Sequence, residues 1–292
     1  MADLRELVAE ELRSPVDRRV ADVARAIAAK HGAASRAILF YGSCLREKKL
    51  EGLMLDFYLI VSDYRRAYAK RWLATANRLI PPNVFYFEHQ GLRAKYAVLS
   101  EADFAHECSP DAWTVSTAAR FAQPSRLVWS ADQGAAGRAI DAVAEAAPTL
   151  LGWTLPLAPE ARAEALWKRA FELTFAAELR AERPGRSAAI VEADPKRYST
   201  FAEAGLKVLR QPQRTSSQAQ AWWRGKQRHG KLYSVARLGK ASLTFAGGPD
   251  YIAWKINRHA GTDLRLKPWQ KRHPLLAAIT LLPKLLRSGA VH

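Results

Sequence analysis

The 292-residue chain has only two cysteines, Cys44 and Cys108. They show no metal-ligand spacing and no disulfide framework, which excludes a cysteine-built zinc cluster and fits a reducing compartment. His106, His229, His259 and His273 also lack the spacing of a metal site. No run of about 18 apolar residues occurs, so no helix is expected to cross a membrane. The first residues, MADLRELVAEELRSPVDRR, carry acids and no apolar core. Neither a secretion signal nor a clear transit peptide is expected there. Acidic residues are scarce and unevenly spread: after Gly205 only Asp250 and Asp263 remain.

Against those two acids the same stretch carries 17 lysines and arginines, a net of +15 out of +17 for the whole chain. A field concentrated in one half points to a polyanionic partner, either an anionic membrane face or a nucleic acid. Elsewhere the composition is that of a globular protein, 49% hydrophobic and 25% charged, so a substantial core can form.

Hydrophobic periodicity divides the chain. Val20, Val23, Ala24 and Ile27 recur at helical spacing within 16–31, after Ser14-Pro15 and before Gly32. The period then changes to short buried strands at 37–41 and 54–61, joined by the polar stretch CLREKKLEG. A crossover helix is expected over 64–79, broken by Pro81-Pro82, followed by strands at 83–88 and 94–99. Residues 113–121 and 135–147 read as helices and 126–129 as an edge strand. The linker LGWTLPLAPE, with two prolines, suggests a domain boundary near 150. Beyond it, helices are expected over 161–182 and from Asp194-Pro195 to about 210. The stretch 211–248, containing Trp222-Trp223, reads as polar, basic and glycine-punctuated. The expected architecture is α+β: a mixed-sheet domain over 1–150, a mainly helical domain over 151–265, and a basic amphipathic tail over 266–292.

The strongest local signal is Tyr41-Gly42-Ser43 at a strand end, followed by Asp56 within an apolar strand. Nucleotidyl transfer needs a turn of small residues whose backbone N–H groups approach triphosphate oxygens. It also needs a carboxylate held on a neighbouring strand, where Mg²⁺ bridges it to the α-phosphate. An ionised Asp in so apolar a strand is costly without a partner, which favours a metal site at Asp56.

With these residues in view, the chain resembles the mitochondrial-type phosphatidate cytidylyltransferases, also described as translocator assembly and maintenance proteins. The resemblance is carried by Tyr41-Gly42-Ser43, by Leu55-Asp56-Phe57, by Val84-Phe85-Tyr86-Phe87, and by Lys95-Tyr96-Ala97-Val98-Leu99-Ser100. Looser counterparts are Ala119-Arg120-Phe121-Ala122-Gln123-Pro124 and Ala177-Glu178-Leu179-Arg180. Their order and spacing agree from about residue 36 to 210. Cys44 and Ala97 replace family glycines, Glu178 replaces an Asp, and the C-terminal third matches poorly. The resemblance implies a nucleotidyltransferase domain, a following helical or winged-helix-like domain and a membrane-associating C-terminal segment. It also implies the Mg²⁺-dependent reaction of CTP with phosphatidate to CDP-diacylglycerol and pyrophosphate.

On this basis Asp56 is the expected principal metal ligand, and Ser43 with the turn of Tyr41 and Gly42 is expected to hold the nucleotide phosphates. Position 58, where many such folds carry a second acid, is Tyr. Glu178 is the candidate by resemblance, with Glu88 as an alternative. Lys95 suits a triphosphate contact and Arg180 a bidentate phosphate contact. A phosphatidate oxygen is already ionised near neutral pH, so it needs cationic screening more than a general base. The tail KPWQKRHPLLAAITLLPKLLR suits a helix lying in a headgroup layer. The protein is therefore expected in a bacterial cytoplasm, peripheral on the inner face of the cell membrane, or at the mitochondrial inner membrane if eukaryotic. Nucleic acid is not the expected partner. The competing readings are a basic nucleic-acid-binding protein, a nucleotidyltransferase with another acceptor, and a pseudoenzyme lacking the second strand acid.

Overall fold

The short apolar stretches between residues 35 and 130 assemble into one mixed five-stranded sheet. In chain order the strands are β1 (Ser35–Tyr41), β2 (Met54–Val61), β3 (Asn83–His89), β4 (Leu92–Ser100) and β5 (Ser125–Ser130). Their order across the sheet is β3-β4-β2-β1-β5. Only β2 and β4 run parallel; the other neighbours are antiparallel. The computed structural model describes residues 3–47, 50, 52–178, 185–209, 214–244 and 265–272.

The helices are α1 (Leu4–Arg13), α2 (Arg18–His31), α3 (Ser43–Glu47), α4 (Tyr64–Ala67), α5 (Arg71–Leu79), α6 (Glu101–Cys108) and α7 (Ser116–Phe121). They continue as α8 (Gln133–Ala144), α9 (Ala146–Thr154), α10 (Ala163–Ala176), α11 (Arg186–Glu192), α12 (Pro195–Lys207), α13 (Ser216–Thr244) and α14 (Pro268–Arg272). The fold is α+β.

Central strand β2 is apolar at almost every position because both its faces are covered. On one face Phe40, Phe57, Leu59 and Val98 pack against Val20, Val23 and Ile27 of α2 and against Tyr64 and Ala74 of α4 and α5. On the other, Leu39, Tyr58, Ile60 and Leu99 join a larger core. That core takes Leu12 from α1, Phe104 from α6 and Phe121 from α7, and continues through Leu150 and Trp153 of α9 to Trp167, Phe171 and Tyr198.

Several sequence expectations are corrected here. The helix expected over 64–79 is two helices, separated at 68–70. Helices α1 and α6 were not anticipated. The stretch expected as a linker, 151–160, forms the end of α9 and a 3₁₀ turn, with Leu151 and Trp153 buried. Pro148 lies in the first turn of α9, where a missing N–H costs nothing. Within the polar, basic, glycine-punctuated stretch 211–248, residues Ser216–Thr244 form the 29-residue helix α13. A Cβ on Gly230 would collide with the carbonyl of Ala177, so that glycine marks a close helix contact rather than a break. Trp223 is buried and donates its Nε1–H to the Trp153 carbonyl at 3.0 Å, which removes it from any base-stacking surface. Arg180 and most of the expected amphipathic tail, 273–292, lie outside the described residues. Among the described residues no helix is long and apolar enough to cross a membrane.

Candidate active site

Strand pairing places Tyr86, Lys95, Asp56, Tyr41 and Ser125 in one row across all five strands. Directly paired residues point to the same face of a sheet. The row therefore lies on the same face as Tyr58 and Leu39 of the larger core. Tyr41 ends β1 and Asp56 is the third residue of β2, so the row crosses the sheet where β1 turns into α3.

Asp56 is held from two directions. Its Oδ1 is buried and stands 2.9 Å from Lys95 Nζ, a charge contact without hydrogen-bond alignment. On the other side lies Gly42, at φ +95°, where a Cβ would stand 2.8 Å from Asp56 Oδ2. The turn is thus built so that main chain approaches the carboxylate, and only glycine meets both the conformation and the space. Ser43 begins α3 directly after it. Cys44 is buried and its thiol donates to the Met54 carbonyl at 3.2 Å, which makes it a packing residue of the turn. Arg46 Nη1 donates to Gln123 Oε1 at 3.2 Å and ties the turn to the segment after α7.

Above the row stands Arg120 of α7. Its Nη2 meets Glu178 Oε1 at 3.4 Å and its Nη1 donates to the Ser116 carbonyl at 2.9 Å. Burial alone would lower its pKa, but the negative field of Glu178, with Tyr58, Tyr41 and Asp56, outweighs that and raises it. Glu178 also accepts from the Ser116 hydroxyl. Arg120 thus carries the electrostatic connection between the two acids expected from the sequence. Glu88, the alternative acid, lies on the exposed part of β3 and accepts from the Tyr86 hydroxyl at 2.8 Å.

Helix α13 adds two more cations. Arg237 donates through Nε to the Pro81 carbonyl at 2.8 Å and through Nη1 to the Ser116 hydroxyl at 3.4 Å. Burial lowers its pKa, opposed by Tyr58 and reinforced by Arg120. Lys240 donates to the carbonyls of Ile80 and, at 2.8 Å, Pro82. Burial, with a smaller contribution from Arg237, lowers its pKa to about 7. Lys95, Arg120, Arg237 and Lys240 come from β4, α7 and α13, and together make this side of the sheet donor-rich.

The structure therefore brings together Tyr41, Gly42, Asp56 and Lys95, sets Ser43 beside them, and ties Glu178 to Arg120. Ser116, Arg237 and Lys240 were missed. Arg120 was legible in the stretch Ala119–Pro124 but had no role there. Arg237 and Lys240 carry no sequence signal that separates them from the other cations of α13.

No family model matches the chain, and no characterised protein matches it. Nine solved chains do, among them a nucleotidyltransferase-like protein from Exiguobacterium sibiricum. That likeness covers 92% of each chain at 10% identity and a TM-score of 0.29, and no role in the site is taken from it.

Proposed function

We propose that the chain is a nucleotidyltransferase, and specifically a CTP:phosphatidate cytidylyltransferase working at an anionic membrane surface. The observation that carries the reaction class is the Asp56 carboxylate, packed against the Gly42 turn and charge-paired with Lys95. The CTP and lipid assignments rest on the sequence resemblance and the strongly basic C-terminal half.

The residues present offer a metal one carboxylate, Asp56. Its buried Oδ1 makes no hydrogen bond and lies 2.9 Å from the Lys95 ammonium, the Gly42 main chain leaves Oδ2 unobstructed by a side chain, and among the described residues no three metal-ligating side chains converge. Asp56 would hold the ion, and Glu178 would join it only by giving up contact with Arg120 and Ser116. When bound, Mg²⁺ supplies Lewis-acid polarisation of the α-phosphate. The turn at Gly42 and Ser43 binds the triphosphate through main-chain N–H groups, and Lys95 and Arg120 screen the charge of two approaching anions. A phosphatidate oxygen attacks the α-phosphorus of CTP. The new P–O bond forms as the α–β bridging bond breaks, and pyrophosphate leaves with the bonding pair. The acceptor is already ionised, so no general base is assigned.

The test is product formation from labelled CTP, Mg²⁺ and phosphatidate vesicles, with Asp56→Ala beside the wild type. Wild-type turnover to CDP-diacylglycerol is expected, with a fall of about 1,000-fold in the variant for the loss of several kcal/mol of metal-borne stabilisation. Absence of any CDP-diacylglycerol from the wild type sinks the lipid assignment. Turnover unchanged by Asp56→Ala sinks the site.

A further inference from the structure

Four aromatic rings line one groove of about 670 Å³, the size of an ordinary ligand pocket at about 300–1,000 Å³. Trp222, His229 and Tyr233 come from α13, and Trp113 comes from the segment between α6 and α7. On α13 the three rings are spaced at i, i+7 and i+11, which sets them on one face of the helix. Gly225 lies between them and leaves that face open.

Each ring is already held by another. Trp222 lies 5.2 Å from the ring centroids of both Trp153 and Trp223. His229 and Tyr233 stack on each other at 5.5 Å and 27°, and Trp113 rests on His106 at 4.6 Å. Lys226 donates to the carbonyls of Ala112 and Trp113, at 2.6 and 3.1 Å, and fixes the backbone that carries the indole. Trp113 nevertheless keeps 47% of its surface exposed. A half-exposed tryptophan whose position is already fixed loses little entropy when a second flat body stacks on it. No step assigned to the Asp56 site uses any of these rings.

The charge around the groove selects the sign of that body. Arg78 and Lys226 line it, and Arg214 lies 4.8 Å from the Trp222 ring centroid, against Asp111 as the acid of the lining. Glu107, whose field reaches Lys226 and Tyr233, is buried and accepts from the Trp113 N–H and the Thr114 hydroxyl. Helix α13 carries six lysines and arginines over Ser216–Thr244 and no acid. Rings alone would suit an apolar or proline-rich peptide equally well; the field of an acid-free helix favours a polyanion. Flat faces joined by a chain of negative charges are the chemistry of single-stranded nucleic acid, whose bases stack on rings whatever their sequence and whose phosphates meet Arg and Lys. A duplex offers the phosphates but keeps its base faces stacked on one another.

We propose that the groove between α13 and Trp113 is a docking surface for single-stranded nucleic acid, with bases stacked on Trp113 and the rings of α13 and phosphates met by Arg78, Lys226 and Arg214. It does not rest on the reading of Asp56 as a centre of nucleotidyl transfer. Nucleic acid was set aside from the sequence because nothing local groups these rings: Trp113 and Tyr233 lie 120 positions apart and meet only in the fold.

The test is fluorescence anisotropy of the full chain with a labelled oligouridine of about 12 nucleotides, within the usual range of site sizes, and with an RNA duplex of the same length, at one fixed salt concentration. A chain this basic attracts both by charge, so the groove is read from the difference between them. Trp113→Ala is expected to weaken the single strand about tenfold, the loss of one stacked base, and to leave the duplex within about twofold. Gly225→Leu fills the groove at a point where a Cβ meets nothing within 4 Å, and leucine is a better helix former, so the same selective loss is expected without damage to α13. Arg78→Gln is expected to reduce the slope of log affinity against log salt by about 0.7 for the single strand. Arg224→Gln, at an exposed residue outside the lining, should weaken strand and duplex by the same factor. No binding of the oligouridine, single-strand binding unchanged in Trp113→Ala or Gly225→Leu, or equal losses for strand and duplex in Trp113→Ala overturns the proposal. So does uridine monophosphate bound as tightly as the oligomer, which would make the groove a site for one nucleotide. If Trp113→Ala does not show the wild-type circular dichroism, Gly225→Leu decides. Asp56→Ala is expected to abolish turnover and keep strand binding, so failure of the reaction and failure of this surface are separate results.

Discussion

The carboxylate of Asp56 occupies the space that a side chain on Gly42 would need, with Oδ2 only 2.8 Å from the position of a Cβ there. Turn and acid are therefore one unit: the glycine both takes the positive φ of +95° and leaves the acid its place.

Gly42→Ala is expected to combine two costs, the left-handed backbone penalty of about 1–2 kcal/mol and displacement of the Asp56 side chain. Gly91→Ala is the matched comparison, at φ +76° with nothing within 4 Å of its Cβ. Thermal unfolding of both variants and turnover of both measure the difference. Gly91→Ala should lower stability and leave turnover near wild type, whereas Gly42→Ala should lose both. Equal turnover in the two variants would mean that the contact with Asp56 is unimportant.

Glu178 and Arg120 form a largely enclosed pair, with side-chain exposures of 12% and 20%. Removing one member leaves the other charge uncompensated, so Glu178→Gln is expected to cost about 2–4 kcal/mol in urea unfolding. Adding Arg120→Met to it should return part of that loss, because the stranded cation is gone. Additive losses in the double variant would show that the two residues are not coupled.

Lys240 gives stability a pH dependence of known sign. Its pKa is about 7 in the fold against 10.5 as the ordinary value. Between these limits the unfolded chain holds the proton and the folded chain does not. Stability from this group therefore rises with pH across that window and is lowest below pH 7. From pH 6 to pH 9 the gain is on the order of 2 kcal/mol. Lys240→Met should lose this slope while other groups keep theirs, measured as the difference between variant and wild type in chemical unfolding. A parallel pH profile in the two proteins would be evidence against the burial of a titrating amine.

Two glycines of α13, Gly225 and Gly230, should respond oppositely. Gly230 presses on the Ala177 carbonyl, while Gly225 has open space beside it. Gly225→Ala is expected to stabilise by up to about 1 kcal/mol through helix propensity, and Gly230→Ala to destabilise by more than that through steric displacement of the helix. Melting temperatures of the two single variants decide this, and destabilisation by Gly225→Ala would contradict the helical geometry.

How much of this was legible follows from the range of each interaction. Short continuous apolar runs, which are local, located β1, β2 and β4. They also put Tyr41 and Gly42 at the end of one strand and Asp56 and Lys95 on two others, because a buried strand shows itself by its own composition; that these strands adjoin came from the sheet order. The identity of Glu178 and Arg120 was visible, but their pairing was not: they lie 58 positions apart in the chain and meet only because α7 and α10 share one core. Gly225 and Gly230 look like punctuation in sequence, since nothing local records that a neighbouring backbone lies against one of them.

By itself the sequence determined the α+β class, the strands around Asp56 and the concentration of positive charge in the C-terminal half. These depend on residue type and near-neighbour periodicity. Only the tertiary structure decided which basic residues come to the sheet: Lys95 and Arg120 reach Asp56 by contact or field. Arg237 and Lys240 are fixed at the start of β3 because α13 docks over the carbonyls of Ile80, Pro81 and Pro82. Only it, too, decided that Trp223 belongs to the core. Docking depends on shape and on hydrogen-bond satisfaction between segments distant in sequence, and no local pattern encodes either.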